Sequence, residues 1–319
     1  MPEWDVTSVL SNLGIHFRSE GNKTKVSGFA SLNVATERDV AFCWYTGEKG
    51  MSSIAESKGG VIFCKKEMQG LVSPKGKQLL IFTDNPRLAF VRVVNEMHGR
   101  EQLIGISRTA IISEKSKVGS NCYIGEYVVI GDNCSVGDNT IIYDRVSLVK
   151  NCTIGNNCIV QSGASLGSDG FAYERHETGE LEKFPHKGYV RIGNNVEICA
   201  NCSIARGSLS DTQIGHGTKL DALVHIAHNV SIGDNCELTA GTIIGGSTTV
   251  GDTSWTGLNS TIKNGIQVGK NVIVASGASV IHDVPDGDIV AGVPAKSIKH
   301  KVNTDEVFLM AGQKKTSEP

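Results

Sequence analysis

From Ile112 an aliphatic residue recurs at every sixth position: Ile112, Val118, Ile124, Ile130, Val136, Ile142, Leu148, Ile154, Val160 and Leu166. The register resumes at Ile192, Ile198 and Ile204, slips by four, and runs from Ile214 to Val280 with only Thr256 off type. A helix repeats at about 3.6 residues and a strand alternates at about 2, so this period excludes a helix and admits a short strand followed by a turn. Six residues then make one side of a coil, and three sides close a triangle with the aliphatic residue pointing inward. The fold expected is mainly β, a left-handed parallel β-helix of hexapeptide repeats.

Glycine often follows the aliphatic residue, as at Gly119, Gly131, Gly155, Gly215, Gly233 and Gly251, with Asp or Asn frequently next. Gly and Asn both tolerate positive φ, which reads as a tight corner. The fifth hexad position should be small and inward, and Cys122, Cys134, Cys152, Cys158, Cys202 and Cys236 all occupy it. Cysteine there acts as a small hydrophobe. The nine cysteines are an odd number, which suits a reducing compartment better than a disulfide framework. Cys199 and Cys202 spell C-x-x-C, but no second pair follows at zinc spacing, so no metal is expected.

The 319 residues balance 31 Lys and Arg against 33 Asp and Glu, a net charge of -2, which argues against nucleic acid or an anionic membrane as a partner. Residues 1–10 carry no basic segment leading into an apolar one, and no apolar run approaches about 18 residues. A cytoplasmic protein without a transmembrane segment is expected.

The chain is expected to divide into a small α/β nucleotide-binding domain at 1–100, the β-helix at 101–298 with an excursion loop at 167–188, and a short tail at 299–319. In the first part Val40-Ala-Phe42, Gly60-Val-Ile-Phe63 and Leu79-Leu-Ile-Phe82 read as strands. A helix should follow Pro86, with Leu88, Phe90, Val91, Val94 and Met97 on one face and Gly99 as its stop. Residues 101–107 form the junction, and a short helix is expected near 305–310.

A rigid prism offers few places for chemistry, so function should sit where the repeat is interrupted. The excursion carries Asp169, Phe171, Tyr173, His176, Lys183, His186 and Lys187, a polar and aromatic set on a loop. Downstream, His225-Ile-Ala-His228-Asn229 sets two histidines around the inward Ile226, with neither in the core register. An imidazole, which ordinarily titrates near about 6.5, suits proton transfer at neutral pH. His228 and His225 are the candidate catalytic histidines. His216 reads as a turn residue, and His98, His282 and His300 as background.

These residues resemble the UDP-3-O-acylglucosamine N-acyltransferases of lipid A synthesis. The likeness spans nearly the whole chain and is most specific in Gly167-Ser-Asp-Gly-Phe-Ala-Tyr173, Arg206-Gly-Ser-Leu-Ser-Asp-Thr-Gln-Ile-Gly215 and Ile226-Ala-His-Asn-Val-Ser-Ile-Gly233, with Asn85-Pro-Arg-Leu-Ala-Phe90 matching the family's N-terminal domain. The resemblance implies a homotrimer with active sites in the grooves between subunits, His228 as catalytic base, and an acceptor amine delivered on a nucleotide-linked amino sugar. No bound cofactor is implied; a thioester of acyl carrier protein or of coenzyme A is the co-substrate. Asn229 or Asp221 would orient the imidazole. Phe42, Trp44 and Tyr45 would stack on the base, and Asp169, Phe171, Tyr173, His186 and Arg206 would bind substrate.

Four features depart from the family. Ala205 stands where Asp is usual, Gly265 stands where a second histidine is expected, and Cys43-Trp-Tyr-Thr-Gly-Glu-Lys49 replaces the usual uracil-contacting segment. The fourth, Val290-Ala-Gly-Val-Pro-Ala-Lys-Ser-Ile298, is similar to the closing turn of coenzyme-A-dependent acetyltransferases on the same prism. An acetyl-CoA-dependent sugar N-acetyltransferase is therefore the alternative enzyme reading. Two other classes use the prism: zinc carbonic anhydrases, whose three converging histidines the His225 and His228 spacing does not supply, and scaffold proteins, which the paired histidines disfavour.

Overall fold

A computed structural model describes residues 3–22, 25–99 and 103–301, in two compact units, Met1–Gln102 and Leu103–Pro319. The expected helix at 305–310 lies outside the described residues.

In the first unit the apolar runs become a five-stranded sheet in the order Arg18–Gly21, Leu79–Thr83, Val61–Lys65, Asp39–Phe42, Gly28–Phe29. All neighbours are parallel except Arg18–Gly21. Alternation along Val61–Lys65 splits the core between two faces. Val61 and Phe63 pack with Val9 and Leu10 of helix Val6–Asn12 and with Ala89 and Val93 of helix Pro86–His98, while Ile62 and Cys64 pack with Ile54 of helix Gly47–Glu56. Helix Pro86–His98 begins as read, with the Asn85 side chain accepting from the Leu88 N–H at 3.0 Å and Pro86 in its first turn. Its buried face differs from the expected one. Ala89, Val93 and Met97 are buried at four-residue steps, whereas Leu88 and Val91 are exposed, because they lie about 100° per residue away from that stripe.

The second unit is a left-handed parallel β-helix. Val118 pairs with Val136, and Ile130 with Leu148, each eighteen residues on, so three hexads make one coil. The first face begins at Gly105–Ile106 and carries eleven strands, the second begins at Ile111–Ile112 and carries nine, and the third begins at Lys117–Val118 and carries eight. The first strand therefore falls inside the stretch read as junction. Inward Ile124, Ile142, Leu148, Val160, Ile198 and Ile226 are fully buried, each stabilising the stack by about 1.5–3 kcal/mol. Thr256 keeps the inward position at 1% exposure because its hydroxyl meets that of Thr242 at 3.0 Å.

The corner glycines need a different explanation from the one the sequence suggests. Positive φ falls two residues after the glycine, at Asn121, Asn133, Asn139, Asn157, Asn195 and Asn235, not at Gly119, Gly131 or Gly137. Those glycines are there for space: a Cβ on Gly131 would stand 1.9 Å from the Val149 carbonyl oxygen of the next coil. The cysteines also do more than fill volume. Cys122, Cys158 and Cys236 donate their thiols to the carbonyls of Gly137, Gly193 and Gly251, as Thr140 and Thr218 donate their hydroxyls to Gly155 and Gly233.

At the far end Ile289–Ala291 turns back into Lys296–Ser297, antiparallel, and Ile298 packs with Ile273, Ile289 and Trp255. The Val290–Ile298 motif thus caps the last coil. Among the described residues no helix is long and apolar enough to cross a membrane.

Candidate active site

Two interruptions of the repeat and His228 share one corner of the prism, between its second and third faces. The 167–188 excursion leaves after strand Ser165–Ser168, the 205–211 insertion leaves one coil later after Ser203–Ala205, and His228 follows one coil later again after His225–Ile226. Coil stacking sets about 4.8 Å between successive levels, so residues remote in sequence meet there. The excursion contains an antiparallel hairpin, Tyr173–Arg175 with Leu181–Lys183. Its return leg lies on the insertion, the Gly188 N–H donating to Gly207 O at 3.0 Å and the Lys187 N–H to Ser208 O at 2.8 Å.

A cleft of about 430 Å³ opens at this corner, lined by Asp169, Gly170, Phe171, Ser203, Ala205, His225, Ala227, His228, Gly246, Ser247, Asn264 and Gly265 among others. His228 is half-buried, and its ring fits between two glycines. A Cβ on Gly170 would meet its Cβ and Cδ2 at 2.8 Å, and a Cβ on Gly246 would meet its Cε1 at 2.8 Å and Nε2 at 2.9 Å. His228 Nδ1 lies 2.8 Å from Asn229 Oδ1. The Asn229 amide cannot be reversed, because its Nδ2 donates to the Ser210 carbonyl, an acceptor only, while Oδ1 accepts from the Ser208 backbone N–H, a donor only. His228 therefore carries its proton on Nδ1, leaving the Nε2 lone pair beside Gly246. Asp221, the other candidate for orienting it, spends its carboxylate on the Ala222 and Ala240 N–H groups instead.

The other candidates separate into groups. His225 and Phe171 line the cleft, with Phe171 88% exposed and edge-on to Tyr173 at 5.1 Å. Arg206 is almost wholly buried and serves Asp169, its Nε donating to Oδ1 at 2.8 Å; Lys183 of the hairpin donates to Oδ2 at 2.7 Å. His186 does not line the cleft. It lies behind Gly170, 2% exposed and edge-on to His228 at 5.5 Å; its Nδ1–H donates to Phe184 O, and its Nε2 has no partner among the described residues. Burial pushes both His186 and His225 below the usual histidine range. Phe42, Trp44 and Tyr45 belong to the first unit, where Phe42 packs on Phe90 and Lys65 and Lys49 lie over the Trp44 and Tyr45 rings. Sequence reasoning missed Gly170, Gly246, Ser208 and Ser210. A signal for Gly246 was present, since in Gly245-Gly246 the repeat calls for only the first glycine.

Lys183, and then Arg206, hold the Asp169 carboxyl at about 2, below its ordinary 3.8. A depressed carboxyl stabilises the fold above the unfolded value and loses that contribution as pH falls through the folded one. Asp169→Asn is expected to speed amide hydrogen exchange in residues 173–183 at neutral pH. It should also remove the part of the wild-type protection that disappears between about pH 4 and pH 2. Unchanged exchange at neutral pH would show that Asp169 does not tie the hairpin down.

Two family models match the prism: the bacterial transferase hexapeptide repeat over residues 109–142, 133–168 and 211–246, and the hexapeptide repeat of succinyl-transferase over 247–281. A UDP-3-O-acylglucosamine N-acyltransferase of Campylobacter lari is 36% identical over 301 residues, covering 91% of this chain and 92% of that one. A protein of the same name from Helicobacter pylori is 36% identical over 244 residues, covering 72% and 71%. Among solved structures, a UDP-N-acetylglucosamine acyltransferase of Francisella novicida aligns at TM-score 0.58 and 28% identity, covering 66% of this chain and 74% of that one.

Proposed function

The chain belongs to the UDP-3-O-acylglucosamine N-acyltransferase family of hexapeptide-repeat acyltransferases, and from that premise we propose that it moves a 3-hydroxyacyl group from acyl carrier protein to the amine of UDP-3-O-acylglucosamine, with His228 as general base. One observation carries the role of His228: its ring is wedged between Gly170 and Gly246, with Nδ1 engaged by Asn229 and Nε2 left with its lone pair at the cleft. As the amine attacks the thioester carbonyl, its proton passes to Nε2. The imidazolium then returns that proton to the departing thiolate as the C–S bond breaks. The Gly246 N–H supplies the oxyanion contact; Gly246 borders the ring at Nε2, and no hydrogen bond among the described residues takes up its N–H.

The co-substrate is a thioester and the acceptor a nucleotide sugar, and Phe42, Trp44 and Tyr45 are the aromatic residues offered to its base. Asp169, Phe171, Tyr173 and Arg206 shape the acceptor side, and His186 supports the cleft wall from behind. The working form is a homotrimer in the cytoplasm. The outward positions of the second face favour a subunit contact: from Ile111 and Val129 through Ser165, Ser203 and His225 to Ile243 and Ser279, none carries a formal charge.

The test is acylation of UDP-3-O-acylglucosamine by the purified protein with 3-hydroxyacyl carrier protein or acetyl-CoA as donor. Carrier-dependent N-acylation is the expected result. Turnover with acetyl-CoA alone would replace the donor and make the chain a sugar N-acetyltransferase.

A further inference from the structure

Neighbouring coils of the prism close in eighteen residues, yet Ile204 pairs with Ile226 and Ile192 with Ile214, each twenty-two residues apart. The prism has no need of the four additional residues. They belong to Arg206-Gly-Ser-Leu-Ser-Asp211, which leaves the wall one coil above His228. Two serines of this insertion meet opposite ends of one side-chain amide. Ser208 Oγ donates to Asn229 Oδ1 at 2.7 Å, and Asn229 Nδ2 donates to Ser210 Oγ at 2.7 Å. The backbone of the same serines repeats both contacts less closely, at 3.3 and 3.1 Å.

Resting on the general-base reading above, we infer that the 206–211 insertion positions the base for acyl transfer: the Ser208 N–H and the Ser210 carbonyl, each able to play one role only, clamp the Asn229 amide so that its oxygen faces His228 Nδ1. An imidazole facing that oxygen must carry hydrogen on Nδ1 and is a base at Nε2. Were the amide turned over, its NH₂ would face Nδ1, the hydrogen would move to Nε2, and the atom beside the cleft could no longer accept a proton. Asn229 cannot enforce this alone, since an unclamped amide is free to present either end. The insertion is also built tightly enough to hold its shape: a Cβ on Gly207 would stand 1.6 Å from the Ser210 carbonyl oxygen, and one on Gly188 would stand 2.2 Å from the same atom.

The experiment compares full-length wild type, a variant lacking residues 207–210 so that this coil closes in eighteen residues like its neighbours, the same deletion carrying Asn229→Asp, and Ser208→Ala/Ser210→Ala, each labelled with ¹⁵N-histidine. The His228 ring signals are assigned by their loss in His228→Gln. In wild type the ring should show hydrogen on Nδ1. In the deletion variant the signal should move toward the Nε2–H form, and kcat should fall about tenfold with KM for the sugar nucleotide within about twofold. A carboxylate has no donating end, so Asn229→Asp in the deletion should return the hydrogen to Nδ1. Ser208→Ala/Ser210→Ala keeps the backbone clamp and should keep the wild-type signature, which tests the inference if the deletion does not fold. An unchanged Nδ1–H signature in the folded deletion variant, a shifted one in the double alanine variant, or hydrogen on Nε2 in wild type would overturn the inference. The spectrum is read without substrate, so full activity of His228→Ala would remove the general-base reading while leaving the tautomer result intact.

Discussion

His228→Ala is expected to lower kcat by about 100- to 10,000-fold, the span that a positioned general base contributes, while KM for the sugar nucleotide stays within a few-fold. An amine becomes a full nucleophile toward a thioester only as its proton leaves, and the groups beside Nε2 leave no substitute base. Gly170, Gly246 and Ala227 are without basic side chains, and His225 projects from the strand before the corner. The fold should tolerate the change. The ring is half-buried, and its one side-chain hydrogen-bond partner among the described residues, Asn229 Oδ1, keeps the Ser208 hydroxyl and N–H when the ring is gone, so no buried polar group is stranded. Melting temperature and far-ultraviolet circular dichroism should match wild type. A His228→Ala protein that turns over within about tenfold of wild type would move the base elsewhere, with His225 the next candidate.

How far this site can be read in a sequence depends on which atoms set each feature. The prism is legible because its period is a one-dimensional property: an inward aliphatic at every sixth residue appears in the string as it does in the coil, from Ile124 to Val280. His228 stands out as a histidine close to His225 around the inward Ile226, with the six-residue register unbroken about it. The clamp on Asn229 does not, because Ser208 and Ser210 are twenty-one and nineteen residues upstream and come within reach only through an insertion whose path the repeat does not specify. His186 was legible as a polar loop residue but not as a buried one, since burial depends on how the hairpin returns over Gly170. The helix Pro86–His98 shows the same limit on a smaller scale. Its start was written in Pro86, whereas its Asn85 cap and its buried stripe came from the fold, the stripe being chosen by the sheet it packs on.

Gly246→Ala is the sharper test of geometry, because it adds one methyl group and removes nothing. Gly246 has no positive φ, so its backbone conformation admits alanine. The first atoms that methyl would meet are Cε1, Nε2 and Nδ1 of His228, at 2.8 to 3.3 Å, the end of a side chain that can swing aside. The chain is therefore expected to fold with its melting temperature within about two degrees of wild type, while kcat drops about 100-fold, the cost of displacing a reacting group by about 1 Å. Gly131→Ala provides the contrast. Its methyl would meet a backbone oxygen, Val149 O, at 1.9 Å, in a residue whose N–H is held to Leu166 O of the following coil, so the contact is relieved only by moving backbone. That variant should lose roughly 1–3 kcal/mol of stability through the backbone shift it forces, and the molecules that remain folded should work normally, since Gly131 is not part of the cleft. The two glycines thus separate the requirements of the prism from those of the catalyst. Should Gly246→Ala instead unfold the protein while sparing the activity of what remains, the cavity beside Nε2 would be a packing feature, and the imidazole would not depend on it for its position.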